Sequence, residues 1–350
     1  MKLCLICDTH WGIRNDNILF LDSAKKFLDN IFFPYIDNNN IGTIIHLGDL
    51  LDRRKYCNIL TANRMRQDFI EPIEKRNIEF HHILGNHDVF YKNTNTVNSV
   101  TEFLKNTKNF YIYETATELE FDGLKILFVP WICDDNREET LSKIKNTYAH
   151  ICFGHLELTG FEMFKGVLST HGDSPELFNR FDVVASGHFH HKSIGGNINY
   201  LGNHMEFDWS DYGDDKGFHI FDTETRKLEF VKNPYTIFNK IVYDDTNGKE
   251  MPKVKAEDIT GKIIKLIIRN KSNLFYFDKY LEKIEKLNPS DLQIIEDYEI
   301  VNVSIDVDTE TETTHDILLK YIDNITDEKI DTSKLKMKMN LIYQEALNIT

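Results

Sequence analysis

Short apolar runs that each end in glycine or a polar side chain are the main pattern in the first half of the chain. In residues 41–52, a β-branched run without helical period predicts a buried strand, and Gly48 then lets the backbone turn into Asp49. The same pattern recurs at Leu3 to Cys7 before Asp8, Phe80 to Leu84 before Asn86, Ala149 to Phe153 before His155, and Phe181 to Ser186 before His188. Open α/β sheets bind ligands at the carboxyl ends of their strands, so we expect these polar loops to form one site.

Two stretches between these strands have the apolar spacing of helices. Asn15 to Phe33 carries apolar residues at helical intervals, and Pro34 is predicted to end that helix. A second helix, from Ile59 to Lys75, crosses from the strand before Asp49 to the strand before Asn86. The chain is therefore predicted to begin as β-α-β-α-β with parallel strands, which places the polar loops at one edge of a sheet.

Antiparallel strands are predicted later in the chain. Glu118 to Phe121 and Leu124 to Val129 flank an Asp-Gly pair, which is typical of a tight hairpin. Between Asn197 and Val231, short strands separated by Gly, Asp and Thr clusters are expected to form a second sheet packed on the first. Within this stretch, the acidic loop Asp208 to Asp215 is expected to be a solvated connector, with a substrate-facing surface as the alternative. The predicted fold class is α/β, a two-sheet mixed β-sandwich flanked by helices and followed by a small C-terminal α+β domain.

The pattern changes around Asn233-Pro234, and the length of 350 residues also favours more than one domain. Residues 236–305 are predicted to hold strands near Ile237 to Tyr243, Lys262 to Ile268 and Leu292 to Val301, and a helix near Leu274 to Leu287. Residues 306–350 open with an acidic linker and continue with helical apolar spacing from His315 to Leu347. We therefore divide the chain into domains 1–235, 236–305 and 306–350. Apolar stripes such as the last one are more often core than docking surface.

Carboxylates, an amide and imidazoles make up the candidate site, and none of its loops contains cysteine. This ligand set suits Mn²⁺, Fe²⁺ or Zn²⁺ better than a structural zinc site built on thiolates. The ligands are too many for one ion. Two ions about 3.5–4 Å apart, bridged by a carboxylate, would clamp the attacking and leaving oxygens of an in-line displacement at phosphorus.

The order of these groups, D-x-H, G-D-x-x-D, G-N-H-D, G-H and G-H-x-H, resembles the signature of calcineurin-type metallophosphoesterases. The resemblance implies a first metal ion held by Asp8, His10, Asp49 and His190 and a second held by Asp49, Asn86, His155 and His188. It also implies that His87 protonates the leaving oxygen or stabilises the transition state, and that Asp88 holds His87. The alternative for Asp88 is a hydrogen bond to backbone in a tight turn. We expect both ions to be divalent, with Mn²⁺ as the preferred metal.

Further segments resemble the SbcD-type recombination and repair nucleases, especially their bacteriophage members. These segments are Gly85 to Asp88 followed by Tyr91-Lys92-Asn93, the Pro130-Trp131 pair, Gly154 to Phe161, and Gly187 to His190 leading to Tyr200-Leu201-Gly202. The likeness covers most of residues 1–235 and is looser beyond. It implies a Mn²⁺-dependent DNA exonuclease or endonuclease, a capping domain that shapes DNA access, and a tail that docks on an SbcC-type coiled-coil ATPase subunit. A homodimer is a further option.

The formal charge of −15 is unusual for a protein that binds DNA, because nonspecific binding depends on Lys and Arg. Bound divalent ions would offset several carboxylates, and a partner subunit is a second source of positive charge. Arg53, Arg54 and Lys55 follow the second ligand loop and Lys92 follows the third, so these four are the candidate DNA contacts, with solvated surface as the alternative. Asp52 is predicted to support a metal ligand, or else to cap the next turn.

Two other classes of function stay open at this stage. Gly48 to Arg53 is similar to the protein Ser/Thr phosphatases, so a phosphomonoesterase or a cyclic-nucleotide phosphodiesterase is the first alternative. Arg54 and Asp88 stand where that subgroup has Gly and Glu, which speaks against it. A catalytically silent DNA-binding subunit is the second alternative. The complete ligand set argues against it, because it gives no sign that the catalytic site has been lost.

Cysteine usage and hydropathy indicate a protein that stays in the cytoplasm, that of the host if the chain is viral. Its five scattered cysteines argue against a disulfide framework, and Cys4 and Cys7 are expected to be core thiols on opposite faces of a strand. No stretch approaches the roughly 18 apolar residues of a membrane span, and the N-terminal apolar run is too short for a secretory signal. His46, inside its strand, is expected to pack rather than to bind metal.

Overall fold

The computed structural model describes residues 1–246, 253–296 and 335–336. By its contacts the chain divides into one compact unit, Met1–Asp297, and a second unit, Tyr298–Thr350. Of the second unit only Leu335 and Lys336 are described, and both are helical. The predicted acidic linker and tail helices therefore lie outside the described residues, and the domain boundaries at 235 and 305 stay predictions.

Strands and helices alternate through the first unit. The strands of the described residues are β1 Lys2–Ile6, β2 Thr43–His46, β3 Glu79–Ile83, β4 Phe110–Tyr113, β5 Thr117–Phe121, β6 Leu124–Val129, β7 Ile151–His155, β8 Glu162–Phe164, β9 Val167–Leu168, β10 Val183–Gly187, β11 Ser193–Gly195, β12 Ile198–Tyr200, β13 Gly217–Asp222, β14 Leu228–Lys232, β15 Phe238–Asp244, β16 Ile263–Asn270 and β17 Asp291–Glu296. The helical segments are Ile13–Asp16, Ile18–Phe27, Leu28–Phe32, Phe33–Asn38, Ile59–Met65, Arg66–Ile70, Glu71–Lys75, Ser99–Leu104, Arg137–Asn146, Pro175–Phe178, Trp209–Asp211, Ala256–Ile259 and Leu274–Lys286.

The first large sheet has the strand order β14-β13-β1-β2-β3-β4. Strands β1 to β4 are parallel and follow one another in chain order, and the parallel arrangement of the first three was predicted. Parallel neighbours need a long crossover connection, and the helical stretches from Ile18 to Asn38 and from Ile59 to Lys75 provide the first two. The loops that follow β1, β2 and β3 therefore leave the sheet at the same edge.

The second large sheet has the order β11-β12-β10-β7-β6-β5. Strands β5 and β6 form the predicted antiparallel hairpin, whose turn residues Asp122 and Gly123 have φ angles of 53° and 77°. Two left-handed residues in succession match the twist of the flanking strands, as in type I′ turns. Strands β6, β7, β10 and β12 are parallel to one another, so the loops after β7 and β10 also share an edge. The predicted fold class, a sandwich of two mixed sheets flanked by helices, is confirmed.

The prediction that the strands between Asn197 and Val231 all belong to the second sheet is wrong. Only β12 joins that sheet, whereas β13 and β14 extend the first sheet and β13 lies antiparallel beside β1. The first five residues of β13 are all buried, so this strand needs cover on both faces. The apolar pattern of β13 indicates burial on both faces, but it does not specify which of the two sheets the strand joins.

Both long helical stretches continue past a proline. The first runs through a π-helical turn, Leu28–Phe32, and on to Asn38, so the prediction that Pro34 ends it is wrong. The second has the same form, with the π-helical turn Arg66–Ile70 ahead of Pro72. Proline lacks an N–H group and its ring crowds the preceding turn, and a wider turn there relieves the crowding.

An apolar core fills the space between the two large sheets. Leu5 of β1 meets Phe128 of β6 and Phe153 of β7 in this layer, and a larger cluster lies on the helix side of the first sheet. Cys4 belongs to the helix-side cluster and Cys7 to the cluster between the sheets. Cys7 directly follows β1, and the two thiols are therefore core residues on opposite faces of the first sheet, as predicted.

The end of the first unit builds a small sheet of its own. Strands β15, β16 and β17 are parallel in this order, and the helix Leu274–Lys286 packs on them through Phe277 and Ile284. Strands and helix lie where the sequence predicts them, with β17 described as far as Glu296. In the part of the chain that the structure describes, no helix is both long and apolar enough to cross a membrane.

Candidate metal centre

The loops after β1, β2, β3, β7 and β10 converge on one cluster of carboxylates, imidazoles and an amide. The structure brings together all the predicted ligands, which are Asp8, His10, Asp49, Asn86, His155, His188 and His190. Four of them, Asp8, His10, Asp49 and His188, have positive φ angles from 41° to 86°. Residues other than glycine adopt this region at a cost, and such strain concentrates at functional sites.

Two glycines allow the ligand loops to approach one another closely. A Cβ atom on Gly48 would collide with the imidazole of His155, and one on Gly85 would collide with the carboxylate of Asp49. The backbone also ties the loops together, because the N–H of His10 donates to the carbonyl of Asp49 over 3.1 Å. The glycines of the sequence pattern are therefore needed for space as well as for turning the chain.

One half of the site consists of Asp8, His10 and His190. The Nε2 atoms of the two imidazoles lie 3.1 Å apart, and Nε2 of His10 lies 4.0 Å from Oδ1 of Asp8. Each of the three side chains offers a ligand atom within 4.8 Å of the others. Two ring nitrogens and a carboxylate oxygen that face one point are the arrangement expected around a single ion.

The other half consists of Asp49, His155, His188 and Asn86. The amide oxygen of Asn86 lies 2.9 Å from Nε2 of His155 and 2.9 Å from Nδ1 of His188. His155 is oriented by a hydrogen bond from its Nδ1 to the carbonyl of Leu47, at 2.8 Å. A carbonyl can only accept, so Nδ1 carries a proton and Nε2 is the nitrogen directed at the cluster.

Asp49 lies between the two halves. Its Oδ2 atom is 3.6 Å from Nε2 of His10 in the first half and 3.4 Å from Nε2 of His155 in the second. Its Oδ1 atom accepts the backbone N–H of His87 at 2.7 Å, which fixes the carboxylate plane. One carboxylate thus faces both imidazole clusters, which is the position of a bridging ligand.

His87 and Asp52 lie at the side of the first half. His87 is half-buried and donates from Nδ1 to the backbone carbonyl of Asp52 over 2.5 Å, and its ring centroid is 4.8 Å from that of His10. The Asp52 carboxylate lies 3.5 Å from Nδ1 of His10. The side chain of Asp52 therefore faces a predicted ligand, and its supporting role stays a prediction.

The prediction that Asp88 holds His87 is wrong. The buried carboxylate of Asp88 accepts the backbone N–H groups of Asp49 (2.9 Å), Leu50 (2.9 Å) and Gly85 (2.8 Å). These groups belong to the second and third ligand loops, so Asp88 ties the two loops together. An ionised carboxylate inside a tight turn finds several backbone donors within reach, and this competes with the neighbouring imidazole.

A second pair of histidines lies behind Asp88 and away from the ligand cluster. Nε2 of His82 lies 3.0 Å from Asp88, and the His82 ring stacks on that of His46 with centroids 4.7 Å apart. His46 is fully buried and lies 3.0 Å from the hydroxyl of Thr9. His46 therefore packs in the core, as predicted.

Burial and the two carboxylates set the protonation states of the cluster. Burial raises the pKa of Asp8 to about 6, an effect that His155 opposes and Asp49 reinforces. Burial alone would lower the pKa of His155, but Asp49 and Asp8 raise it to about 9. Burial lowers the pKa of His188 to about 3 and that of His190 well below its ordinary value. His188 and His190 are therefore neutral at neutral pH, the form in which imidazole binds metal.

The residues present fit divalent transition-metal ions. Asp8 and Asp49 are 0% and 2% exposed, and within the described residues neither forms an ion pair with Lys or Arg. Buried carboxylates are costly unless a cation pairs with them. Imidazole, carboxylate and amide donors together suit Mn²⁺, Fe²⁺ or Zn²⁺.

The candidate DNA contacts differ in burial and in the interactions that they already form within the protein. Arg53 pairs with Asp16 at 2.8 Å and its guanidinium lies 4.9 Å from the ring centroid of Tyr56. Arg54 is partly buried, and this burial lowers the pKa of its guanidinium against the opposing effect of Asp49. Lys55 and Lys92 are exposed. The structure thus leaves the two lysines as the more accessible cations, and a role in DNA binding stays a prediction for all four residues.

The acidic loop Asp208 to Asp215 is not the solvated connector that the sequence predicts. Asp211 is buried and accepts from Nζ of Lys216 over 2.6 Å, and Lys216, only 3% exposed, also donates to the carbonyl of His190 over 2.8 Å. Asp214 lies 2.6 Å from Nδ1 of His191. The loop therefore clamps the His190 segment by a buried ion pair. A lone lysine directly after an acidic run was the available sequence signal.

Comparisons with known proteins agree with this geometry. The model of the calcineurin-like phosphoesterase family matches residues 1–192. Exonuclease subunit 1 of Enterobacteria phage T4 is 32% identical over 353 aligned residues, which cover 99% of this chain and 99% of the relative. The SbcD component of the nuclease SbcCD of Staphylococcus epidermidis is 23% identical over 79% of this chain and 78% of its own length. The solved purple acid phosphatase PPD1 of yellow lupin covers 66% of this chain and 52% of its own, at 11% identity and a TM-score of 0.40.

The family match covers more than half of the chain and contains every one of the converging ligand loops. The full-length relative extends the likeness through the small C-terminal sheet to the last residues. Fold, ligand set and sequence relationship agree with one another. The chain is therefore a metal-dependent phosphodiesterase that belongs to the calcineurin-like phosphoesterase family.

Proposed function

We propose that this protein is a DNA nuclease that hydrolyses phosphodiester bonds with two divalent ions, and that Mn²⁺ is the ion it uses. The observation that carries the proposal is the position of Asp49, whose Oδ2 lies 3.6 Å from His10 Nε2 and 3.4 Å from His155 Nε2. A carboxylate between two imidazole clusters is the arrangement that holds two ions a few ångströms apart.

The ligands of the two ions follow from the two halves of the site. In this proposal one ion is held by Asp8, His10, Asp49 and His190, and the other by Asp49, Asn86, His155 and His188. When bound, the ions neutralise the phosphate oxygens and lower the pKa of water from near 16 to about 7. The protein therefore needs no separate side-chain base, and its own residues orient the substrate and supply the proton for the leaving oxygen.

His87 is the residue that we propose as the proton donor. Its Nδ1 donates to the Asp52 carbonyl over 2.5 Å, so Nε2 is the nitrogen that can exchange a proton with the substrate. The Asp52 carboxylate, 3.5 Å from Nδ1 of His10, would hold that ligand ring in its orientation.

The relatives support DNA as the substrate and a partner subunit, and the proposal that this partner is an ATPase comes from the resemblance to SbcD-type nucleases. The two relatives described above are named as subunits of nucleases, one of them of the SbcCD complex, and we extend this to the present chain. The net charge of −15 supports a partner that contributes DNA-binding surface. We propose that residues 315–347 dock on an SbcC-type coiled-coil ATPase through apolar anchors, and that the complex acts in the cytoplasm.

End-labelled duplex DNA and p-nitrophenyl phosphate, each with Mn²⁺ and with or without an SbcC-type ATPase, provide the test. We expect Mn²⁺-dependent cleavage of the DNA that EDTA and Asp49→Ala abolish, and a far slower reaction with the phosphomonoester. Deletion of residues 315–350 is expected to abolish co-purification with the ATPase while cleavage stays measurable. Rapid hydrolysis of the monoester alone would instead favour a phosphomonoesterase, and DNA binding without any hydrolysis would favour a silent subunit.

A further inference from the structure

A cavity beside the metal centre has no part in the chemistry described so far. It has a volume of about 190 Å³ and reaches the centre at His155, one of the predicted ligands. Its lining includes Trp131, Arg137, His155, Glu157, Leu158 and Asp173. For comparison, an apolar cavity of about 150 Å³ binds benzene, so this space is large enough for a planar heteroaromatic ring system.

Trp131 lies where the cavity meets the ligands. Its backbone N–H donates to the carbonyl of Leu84 over 2.8 Å, and its backbone carbonyl accepts from the side-chain amides of Asn95 (3.0 Å) and Asn136 (2.9 Å). Its ring centroid lies 5.3 Å from that of His188. The anchored backbone limits the positions open to the half-buried indole, which reduces the conformational entropy that stacking a flat ligand on it costs.

The polar groups of the cavity favour an uncharged ligand over a second phosphate. Arg137 donates both terminal nitrogens to the carboxylate of Asp173, so its charge is already compensated. Glu157 adds a further carboxylate, and the N–H of Asp173 donates to the carbonyl of Glu157 over 2.8 Å. Two carboxylates beside one engaged guanidinium repel an anion but can bond to the N–H and carbonyl edge of a neutral heterocycle.

We propose that this cavity binds the base of the nucleotide that carries the scissile phosphate, with Trp131 as the stacking surface. The inference rests on the proposed nuclease function and names a specificity element for it. The cavity adjoins ligand His155, so a phosphate at the metal centre puts the attached nucleoside within reach. Base stacking on aromatic side chains tolerates any sequence, which suits a nuclease that must accept every base.

Two phosphodiesters with the same leaving group separate base binding from hydrolysis. These are the p-nitrophenyl ester of thymidine monophosphate, linked through the 5′- or the 3′-oxygen, and methyl p-nitrophenyl phosphate, which lacks a base. With Mn²⁺ and the full-length protein, Trp131→Leu is expected to raise KM for the better thymidine ester about tenfold. For the methyl ester, kcat/KM is expected to stay within about twofold, and Trp131→Phe should restore most of the thymidine preference.

Tyr148→Ala, which removes an aromatic side chain that is 82% exposed, is the matched control and should change neither reaction. Equal losses on both esters in Trp131→Leu would overturn the inference, because Trp131 would then act only by supporting His188. An unchanged KM for the thymidine ester would overturn it as well. Hydrolysis of neither ester by the wild-type protein would contradict the proposed function itself, and this inference with it.

Discussion

The two large sheets contribute different chemistry to the metal centre. The carboxylates Asp8 and Asp49 and the amide of Asn86 all come from the first sheet, whereas the loops of the second sheet provide imidazoles alone. Hydrogen bonds cross between the sheets at the centre. Nδ1 of His155 donates to Leu47 over 2.8 Å, and the N–H of His188 donates to the Asp8 carboxylate over 3.1 Å.

This difference explains why the site cannot belong to either sheet alone. The first sheet provides buried negative charge without a compensating Lys or Arg in the described residues, and the second provides imidazoles that complete the coordination of a cation. The geometry of the centre is then set by how the sheets pack, through the apolar layer between them. Changes on the two sides should therefore have different consequences.

The largest effect is expected from Asp49→Ala, on the first-sheet side. This change removes the carboxylate that faces both clusters, so we expect loss of both ions and a fall in kcat/KM beyond about 10⁴-fold. His188→Ala, on the second-sheet side, should remove one ion and leave Asp8, His10 and His190 to bind the other. Metal analysis of both variants measures this contrast. Loss of one ion in each variant would show that Asp49 is not shared.

His87→Ala is expected to lower kcat by about 10²- to 10⁴-fold, because general acid catalysis contributes about that much. Metal content and DNA affinity should stay near those of the wild type, since His87 lies outside both ligand clusters. Single-turnover cleavage of labelled DNA under saturating Mn²⁺ checks this, with Asp8→Ala as the comparison that loses metal. Full activity in His87→Ala would exclude its proposed role, and loss of metal would make it a ligand.

Asp88→Asn is expected to lower the free energy of unfolding by about 3 kcal/mol. Oδ2 of Asp88 accepts the backbone N–H groups of Asp49 and Gly85, and Oδ1 accepts that of Leu50. Because Asn keeps only one acceptor oxygen, at least one of these buried donors loses its partner. Urea denaturation in EDTA measures the effect without a contribution from metal binding. An unchanged midpoint would mean that Asp88 does not hold the loops together.

A smaller, pH-dependent effect is expected from His219, a buried imidazole of β13 outside the metal centre. Burial lowers the pKa of His219 to about 3, whereas an unfolded chain has a value near 6.5. Above pH 6.5 the difference has no effect, and as the pH falls below 6.5 the unfolded state binds a proton that the folded state does not. At pH 5 this costs about 2 kcal/mol.

His219→Leu should therefore lose about 2 kcal/mol less stability than the wild type between pH 7.5 and pH 5. Urea denaturation of both proteins in EDTA at these two pH values gives the comparison. Burial lowers the pKa of His188, a proposed ligand, as well as that of His219, which lies outside the metal centre. A lowered pKa therefore does not by itself identify a metal ligand. Identical pH dependence in the two proteins would contradict the stated cause.

The convergence of the proposed ligands was predictable from sequence because each follows an apolar run at the carboxyl end of a parallel strand. That rule places Asp8, Asp49, Asn86, His155 and His188 at one edge before any coordinates are known. The small C-terminal sheet was also predictable, since the apolar residues of its strands and helix recur at regular intervals and polar segments separate these elements. In both cases the information is local in the chain.

The sequence was less informative where partners are distant in the chain. The pairing of β13 with β1 depends on which sheet offers a free edge, which no local pattern records. Asp88 and Lys216 are charged residues whose roles are set by buried backbone groups on other loops. The π-helical turns before Pro34 and Pro72 arise because tertiary packing keeps the helix going after a residue that ordinarily ends it.

The most direct test of the shared centre is a crystal structure of the Mn²⁺-loaded protein, with the ions located by the anomalous scattering of manganese. The account predicts two peaks about 3.5–4 Å apart, one beside Asp8, His10 and His190 and the other beside Asn86, His155 and His188, with an Asp49 oxygen between them. A single peak, or two peaks without Asp49 between them, would contradict it.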